Sequence, residues 1–434
     1  MRTRKQLIIP RAAAVVLAAA IASTGLMAPA GPAGAAVMPV SGPVSDPVGG
    51  PISHRVTDFG FDAQSYGSKT TGNDSADSGA TALSVLPCTR TVPRSTENFL
   101  AEGGDGAGAS VSNVRTRNVT SAGDAKVAAT SHVRVESGSL ASGAVTFTNL
   151  TGRVQSFHDG TGYHVTTTSS LGSLSVNGVP VAVPLDGEET TVPVPGAGTL
   201  TVNRQVDLAN RLGAEGAVNV LRFDRDDGTV QRIGRAFARI DGEIEGGLFH
   251  GAAWGSDART GQITQQGRAA LQPMPCPGTR GRVLQTRTAQ ANTSFGFIGG
   301  RNSAVKGEQG NGSATGFARS VIDRAGFSGG ALQFRNIVAV ANVTRQRDGD
   351  VLRNAKGTGI GRILVNGREV PFPPAGEPQD VAGVGTFTVR TVDTNRNGID
   401  VTAVVVRLAN ATPGDASDDT VVNLGRAKLA ITRR

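Results

Sequence analysis

Short runs of alternating apolar and polar residues dominate the chain after about residue 55. Residues 173–176 alternate serine with leucine or valine, and residues 179–183 place valine at every second position. Asn177-Gly178 lies between these runs and tolerates the positive φ angles of a type I′ turn, so the pattern predicts a β-hairpin. Apolar residues seldom recur at helical spacing. Frequent turn signals between β-branched runs, such as 199–202 and 401–408, favour an all-β fold of sandwich-like modules.

The same series of motifs occurs twice, at an offset of 187 to 191 residues. The stretch that ends in Cys88 returns at Cys276, and a proline precedes each cysteine. LSVNG at 174–178 returns as ILVNG at 363–367, and IGRA at 233–236 returns as LGRA at 424–427. Self-similarity at a fixed offset is typical of an internal repeat. We expect two tandem copies of one β-sandwich-like module, at 55–240 and 245–434.

The N-terminus has the features of a secretion signal. Four basic residues lie within the first eleven positions, residues 12–22 are apolar throughout, and Ala33-Gly34-Ala35 offers a cleavage site. We expect a signal peptide at 1–35 and a proline-rich lead-in at 36–54, with an uncleaved N-terminal anchor as the alternative. No later apolar run is long enough to span a membrane. The sequence therefore predicts a protein that is secreted or associated with the cell envelope.

Composition and charge narrow the choice of partner. Removal of the signal peptide takes away four basic residues, so the formal net charge falls by four, from +8 to +4. The arginines are scattered along the sequence and only 4% of the residues are aromatic, which argues against nucleic-acid binding. A slightly basic exported surface fits weak attraction to an anionic cell-wall polymer, or contact with other surface proteins.

The order of these motifs resembles that of a known family. Each copy opens with Tyr66-Gly67 or Trp254-Gly255, and a Pro-Cys follows about twenty residues later. The Asn-Gly hairpin and a glycine-rich Thr/Val strand complete a pattern similar to the exported choice-of-anchor P proteins of actinobacteria. The resemblance implies a β-rich surface module and brings no catalytic residues. This chain differs from that pattern because it carries the module twice and has no recognisable C-terminal anchor.

Cys88 and Cys276 are the only cysteines in the sequence. Exported proteins oxidise thiols, and a bridge that closes so long a loop would stabilise the fold by about 5 kcal/mol in the chain-entropy model. Equivalent positions of two modules come within bridging distance only near a pseudo-two-fold axis. The sequence leaves two alternatives, a disulfide that joins the copies and two separate buried thiols.

Two motifs raise the alternative of a hydrolase that acts on envelope polymer. Ser328 lies in a G-x-S-x-G pattern at 326–330, but the residues after it continue as a strand and all five histidines lie upstream. Asp224, Asp226 and Asp227 form an acidic turn of a kind that is usually only solvated. A serine without a nearby base has no activated hydroxyl, so we assign no catalytic residue.

A third motif raises the alternative of a calcium-dependent binding protein. Asp393, Asn395, Asn397 and Asp400 match the opening of a calcium loop, in which oxygen ligands recur at alternate positions. The twelfth position of that loop is Val404, so the bidentate glutamate is missing. The same residues are also compatible with an ordinary hairpin turn.

We expect His158 and His164 to face solvent and the large aromatic side chain near the start of each copy to pack inside the fold. His158 and His164 flank a tight turn that could bind a metal, but the other copy has Arg347 in place of His158. Tyr66 and Trp254 occupy equivalent positions, and we expect them to pack inside the sandwiches. The sequence as a whole predicts an exported, non-enzymatic structural or adhesive protein that needs no cofactor, unless the calcium motif is used.

Overall fold

The computed structural model describes residues 54–72, 80–104, 108–123, 125–183, 187–260, 263–293, 295–409 and 419–433. Strands account for nearly all of the regular structure, which confirms the predicted all-β class. The predicted signal peptide and almost all of the predicted lead-in lie outside the described residues. No helix in the described ranges is long and apolar enough to cross a membrane.

The first half of the chain folds into two antiparallel sheets whose inner faces share one apolar core. Its strands are β1 Arg55–Thr71, β2 Ser84–Val92, β3 Arg94–Gly104, β4 Ser110–Ala122, β5 Val127–Leu140, β6 Val145–His158, β7 Tyr163–Ser170, β8 Ser173–Val176, β9 Val179–Pro180, β10 Thr190–Val194, β11 Gly198–Asn210, β12 Gly213–Arg225 and β13 Val230–Asp241. Sheet A has the order β10-β11-β12-β13-β1-β2, and sheet B has the order β3-β4-β5-β6-β8-β9, with β7 also paired to β6.

The second half forms a second pair of sheets around its own core. Its strands are β14 Leu248–Thr260, β15 Ile263–Ala269, β16 Gln272–Pro273, β17 Leu284–Thr288, β18 Ala291–Thr293, β19 Gly296–Ile298, β20 Arg301–Gly310, β21 Ser313–Phe327, β22 Leu332–Arg345, β23 Val351–Asn354, β24 Gly359–Val365, β25 Arg368–Glu369, β26 Pro378–Val381, β27 Gly385–Asn395, β28 Gly398–Leu408 and β29 Thr420–Thr432. Sheet C has the order β15-β14-β29-β28-β27-β26, with β16 beside β14. Sheet D has the order β17-β20-β21-β22-β24-β25, with β23 beside β22 and the β18–β19 hairpin on β21.

The two sandwiches have corresponding strand orders. Sheet C follows the strand order of sheet A apart from the additional β16, and sheet D follows sheet B except for the β18–β19 hairpin. Residues with left-handed backbone also recur, since Ala141 and Ser328 have φ angles of 50° and 48°, and Asn149 and Asn336 have φ angles of 50° and 51°. Such residues mark turns and bulges that bend a strand at a fixed place. Shared topology is what a duplication would produce, and the common origin of the two halves stays a prediction.

The junction between the sandwiches contains the two cysteines. The sulfur atoms of Cys88 and Cys276 lie 2.13 Å apart and their Cα atoms 5.4 Å apart, so the pair is at bonding distance. Ile244 and Leu248 pack with the two cysteines in a small apolar cluster. A Cβ atom on Gly60 would lie only 2.6 Å from Cδ1 of Ile244, so this position accommodates glycine alone without rearrangement. Of the two alternatives left by the sequence, the structure shows the pair that joins the sandwiches.

The connecting segment after β13 is held by the second sandwich. Oε1 of Gln309 accepts hydrogen bonds from the backbone N–H groups of Gly246 and Gly247, at 2.7 and 3.1 Å. Nε2 of Gln309 donates to the carbonyl oxygen of Gly247 at 2.6 Å. A Cβ atom on Gly246 would overlap the carbonyl oxygen of Ser313. These contacts and the cysteine pair place both sandwiches in one unit of the chain, Ile52–Arg434.

Candidate binding surface

The outer face of sheet B carries four exposed arginines on three adjacent strands. Arg115 and Arg117 lie on β4, Arg134 lies on β5 and Arg153 lies on β6. Side chains alternate between the two faces of a strand, and the residues that flank these arginines, such as Val133, point into the core. The alternation that buries the valines therefore exposes the arginines on the opposite face.

The register of the strands gathers these arginines around one histidine. His132 on β5 lies directly opposite Arg117 on one side and Arg153 on the other. Arg115 and Arg134 face each other two residues along the strands. Neighbouring strands are about 4.8 Å apart, so the five side chains occupy a small area. We call Arg115, Arg117, His132, Arg134 and Arg153 the arginine patch.

The electrostatic character of the arginine patch is positive. Partial burial, together with Arg153, Arg134 and Arg117, lowers the pKa of His132. Within the described part of the chain, none of the four arginines forms an ion pair, although Glu97 on β3 lies opposite Arg117 in register. Like charges that face each other across a strand pair destabilise a sheet. A bound anion would relieve that repulsion.

Aromatic and hydroxyl groups border the arginine patch. The guanidinium group of Arg115 lies over the ring of Phe99, 5.4 Å from its centroid, and Phe99 is 53% exposed. On the opposite side β7 presents exposed hydroxyls at Thr166, Thr168 and Ser170. Hydroxyls and guanidinium groups together can hydrogen-bond many oxygen atoms of a ligand. The surface therefore suits an anion that is rich in oxygen.

On the outer face of sheet A, in contrast to sheet B, arginines form ion pairs with carboxylates. Arg239 donates two hydrogen bonds to Asp241, from Nε at 2.6 Å and from Nη2 at 2.9 Å, and a third to Glu215 at 3.2 Å. Arg222 contacts the carboxylate of Asp224 in the same two-pronged way, from Nε at 2.9 Å and Nη2 at 2.7 Å. Arg222 and Arg239 are thus neutralised by carboxylates of the protein itself, whereas Arg232 and Arg235 donate to the uncharged side chains of Thr71 and Asn219.

Ser328 lies in a 3-10 turn, Ser328–Gly330, at the end of a cavity of about 580 Å³ in the second sandwich. The residues that line this cavity, so far as the structure describes them, include no His, Lys, Asp, Glu or Cys. The first sandwich builds the same turn with Ala141 at the place of Ser328. The turn thus does not require the hydroxyl, and nothing described in the cavity could take its proton.

The acidic turn and the histidine pair both have structural partners. Asp224 is held by Arg222, while Asp227 accepts a hydrogen bond from the N–H of Thr229 at 2.8 Å, and such bonds lower its pKa. His158 lies opposite Tyr163, whereas His164 lies opposite the residue before His158, so the two imidazoles point to opposite faces of the hairpin. The two histidines cannot share a metal in this arrangement.

The predicted calcium ligands lie on a two-residue hairpin between β27 and β28. Asn395 accepts a hydrogen bond from the N–H of Asn397 at 2.9 Å, and Asp393 lies opposite Asp400 in register. Both carboxylate oxygens of Asp400 accept hydrogen bonds from Arg426, at 2.9 and 2.8 Å. Among the described residues no group of three His, Cys, Asp or Glu side chains is placed to hold a metal. The geometry favours a hairpin turn, and calcium binding stays a prediction.

Tyr66 and Trp254 are buried, but not inside the sandwiches as we expected. Neither ring belongs to the apolar core between the sheets, since alternation turns both toward the outer face. The guanidinium groups of Arg268 and Arg426 lie over the ring of Trp254, 4.6 and 5.0 Å from its centroid. Its Nε1 donates a hydrogen bond to Asp257 at 2.5 Å. The ring is covered by arginines, because a cation above an aromatic face is favourable.

Sequence reasoning missed the arginine patch because it treated the arginines as scattered. Arg115 and Arg117 alternate with core residues, as do His132 and Arg134, and this alternation was a readable signal. Only the strand register shows that these positions are neighbours. No protein-family model matches the chain and no curated protein matches it, so the resemblance to the choice-of-anchor P proteins stays a prediction.

Proposed function

We propose that this is an exported, non-enzymatic protein that binds an anionic polymer of the cell envelope through the arginine patch. The export step rests on the leader at 1–35 and the all-β, cysteine-joined architecture suits a structural or adhesive role outside the cell. The resemblance of the repeat motifs to exported surface proteins supports the same location.

The observation that carries the proposal is that no arginine of the arginine patch forms an ion pair with a residue that the structure describes, whereas Arg222 and Arg239 on sheet A do. Four exposed guanidinium groups on one sheet outnumber the neighbouring carboxylates of Glu97 and Glu136 and give this surface a net positive charge, which attracts an extended polyanion. Exposed hydroxyls of β7 add hydrogen-bond donors beside them. Binding of this kind depends on charge density and needs little sequence or shape specificity in the polymer.

The test measures binding of the exported chain to immobilised poly(glycerol phosphate) and to neutral dextran at low and high salt. We expect binding to the anionic polymer only, weakening steeply with salt. Replacing Arg117 and Arg153 by glutamine should reduce affinity at low salt by roughly thirtyfold, since each basic residue near an anionic surface contributes about 1 kcal/mol.

A matched control keeps the net charge change the same. Arg204 and Arg222 lie on sheet A and are paired with Glu189 and Asp224. Their double replacement by glutamine also removes two positive charges, and we expect it to change affinity by less than threefold. Equal losses in the two double variants would contradict the arginine patch as the binding surface, and release of soluble fragments from the polymer would favour a hydrolase instead.

A further inference from the structure

A groove on the outer face of sheet D has a different composition from the arginine patch. The β18–β19 hairpin pairs with β21, where Phe297 lies opposite Gly326, and it forms one wall of the groove. The groove has a volume of about 500 Å³, and Arg324, Gln333 and Arg335 line it with Phe297. This volume lies in the range of small-molecule sites. Among the described residues of the first sandwich, no hairpin takes the corresponding place.

Two arginines face each other in this groove. Arg324 on β21 lies directly opposite Arg335 on β22, which in turn lies opposite Arg362 on β24. Arg362 pairs with Glu369 at 3.1 Å, whereas neither Arg324 nor Arg335 forms an ion pair with any residue that the structure describes. Two like charges at directly opposed positions destabilise a strand pair.

The first sandwich shows that the fold does not need this pair. At the positions of Arg324 and Arg335 it has Ser137 and Thr148, which also face each other across the same strand pair. Their hydroxyls lie 2.7 Å from those of Ser112 and Ser173. A satisfied set of hydroxyls in one sandwich is thus replaced by two opposed cations in the other. An anion between the guanidinium groups would turn this repulsion into attraction.

The other walls of the groove are suited to a ring. The guanidinium group of Arg324 lies 4.8 Å from the centroid of the Phe297 ring, which holds the aromatic wall in place. Gly326 forms the floor, and a Cβ atom there would meet nothing closer than Cγ of Gln333 at 3.7 Å. The floor therefore stays open, because no side chain fills it, although a larger residue would fit without strain.

We propose that this groove binds a sugar-sized ring that carries an oxyanion, with the carboxylate or phosphate between Arg324 and Arg335 and the ring against Phe297. Both anions present oxygen atoms in the planar or forked geometry that guanidinium groups recognise. The groove lies on the other sandwich from the arginine patch. The ligand of the groove is one sugar-sized molecule, whereas the arginine patch is proposed to bind an extended polymer. The groove can therefore bind its ligand whether or not the arginine patch binds the polymer.

The experiment is calorimetric titration of the full chain with glucuronate, glucose 1-phosphate, inorganic phosphate and glucose. We expect saturable binding of one or both anionic sugars, at least tenfold weaker binding of inorganic phosphate, and none of glucose. A preference between the two anionic sugars identifies the carboxylate or the phosphate as the natural group. Absence of binding for both anionic sugars would overturn the proposal, and so would inorganic phosphate binding as tightly as glucose 1-phosphate.

Variants locate the site. The double change Arg324→Ser and Arg335→Thr installs the residues of the first sandwich, and we expect it to weaken sugar binding at least tenfold without lowering the unfolding temperature. Gly326→Leu should also block binding by filling the floor. Arg319→Ser, an exposed position on the same face outside the groove, is the control for net charge. An equal loss in the control, or unchanged binding in the double variant, would overturn the assignment.

Discussion

The two outer faces of the first sandwich use arginine in opposite ways. On sheet A, Arg222 and Arg239 each hold a carboxylate by two hydrogen bonds, so the positive charge is satisfied within the protein. On sheet B, the arginine patch has no ion pair among the described residues and its members repel one another. The comparison indicates that sheet A is arranged for folding stability, while sheet B keeps a stability cost that a ligand can remove.

The same comparison holds between the sandwiches. Opposed hydroxyls at Ser137 and Thr148 correspond to opposed arginines at Arg324 and Arg335. The two sandwiches share left-handed positions such as Asn149 and Asn336 beside these residues, so at this strand pair the difference lies in the outward side chains. A substitution at an outward position does not disturb the packing of the core. Two sandwiches of one topology can therefore carry different binding residues on their outer faces.

The largest effect is expected from breaking a pair on sheet A. Asp241→Ala removes the carboxylate that holds Arg239, and the Asp241 side chain is only 4% exposed. The guanidinium group would stay in a mostly buried place with only the more distant Glu215, so we expect a loss of about 3 kcal/mol in the free energy of unfolding. Urea unfolding measures this loss.

An exposed pair on the same sheet provides the control for that variant. Glu189 and Arg204 are 39% and 48% exposed, so Glu189→Ala should cost less than about 1 kcal/mol. If both variants lose the same free energy, the burial of the Arg239 pair is not what makes it stabilising. If neither variant lowers the free energy of unfolding, sheet A gains no stability from these ion pairs, and the contrast that we draw between the outer faces of sheets A and B is wrong.

A pH-dependent effect of intermediate size is expected next to that pair. Burial, with some help from Asp241 and Glu215 and against the effect of Arg239, raises the pKa of Asp62 to about 7. An unfolded chain releases this proton near pH 4, so between about pH 4 and 7 the folded state binds more protons and stability falls as the pH rises. Above pH 7 the loss is complete. Asp62 therefore opposes folding at neutral and alkaline pH.

Asp62→Asn removes that titration. Because Asp62 is partly exposed, we expect the variant to gain about 2 kcal/mol over the unchanged protein at pH 8, and little at pH 4. Unfolding measured at both values gives the difference. Asp380→Asn, an exposed change on β26, is the matched control. A gap of equal size at pH 4 and pH 8 would show that Asp62 acts by packing and not by its charge.

The sequence predicted the class and the hairpins, because these depend on local signals. Asn177-Gly178 does turn the chain between β8 and β9, with φ angles of 50° and 78°. The second of these strands, Val179–Pro180, is shorter than its valine pattern indicated. Alternation alone was enough to predict strands and their buried faces.

The binding surface could not be predicted in the same way. Arg117 and Arg153 are far apart in sequence and become neighbours of His132 only through the register of three strands. The face that a side chain takes also depends on irregular positions such as Asn113, whose φ angle is 49°, because Val111 and Val114 on either side of it both point into the core. Nothing in the local sequence shows which strand lies beside which.

The smallest effect on stability should come from giving sheet B the kind of partner that sheet A has. Thr168 on β7 is exposed and lies directly opposite Arg153. Thr168→Glu places a carboxylate beside that arginine, and a cross-strand pair of opposite charges contributes about 0.5 kcal/mol at low salt. The same carboxylate should weaken binding to poly(glycerol phosphate), because it both neutralises Arg153 and repels the polymer.

Thr168→Gln, which keeps the length but not the charge, should change neither property. Thr168→Glu could instead stabilise the sheet and leave polymer binding unchanged. That result would show that the repulsion among the arginines is not linked to ligand binding, and it would contradict the proposal that the arginine patch binds the polymer.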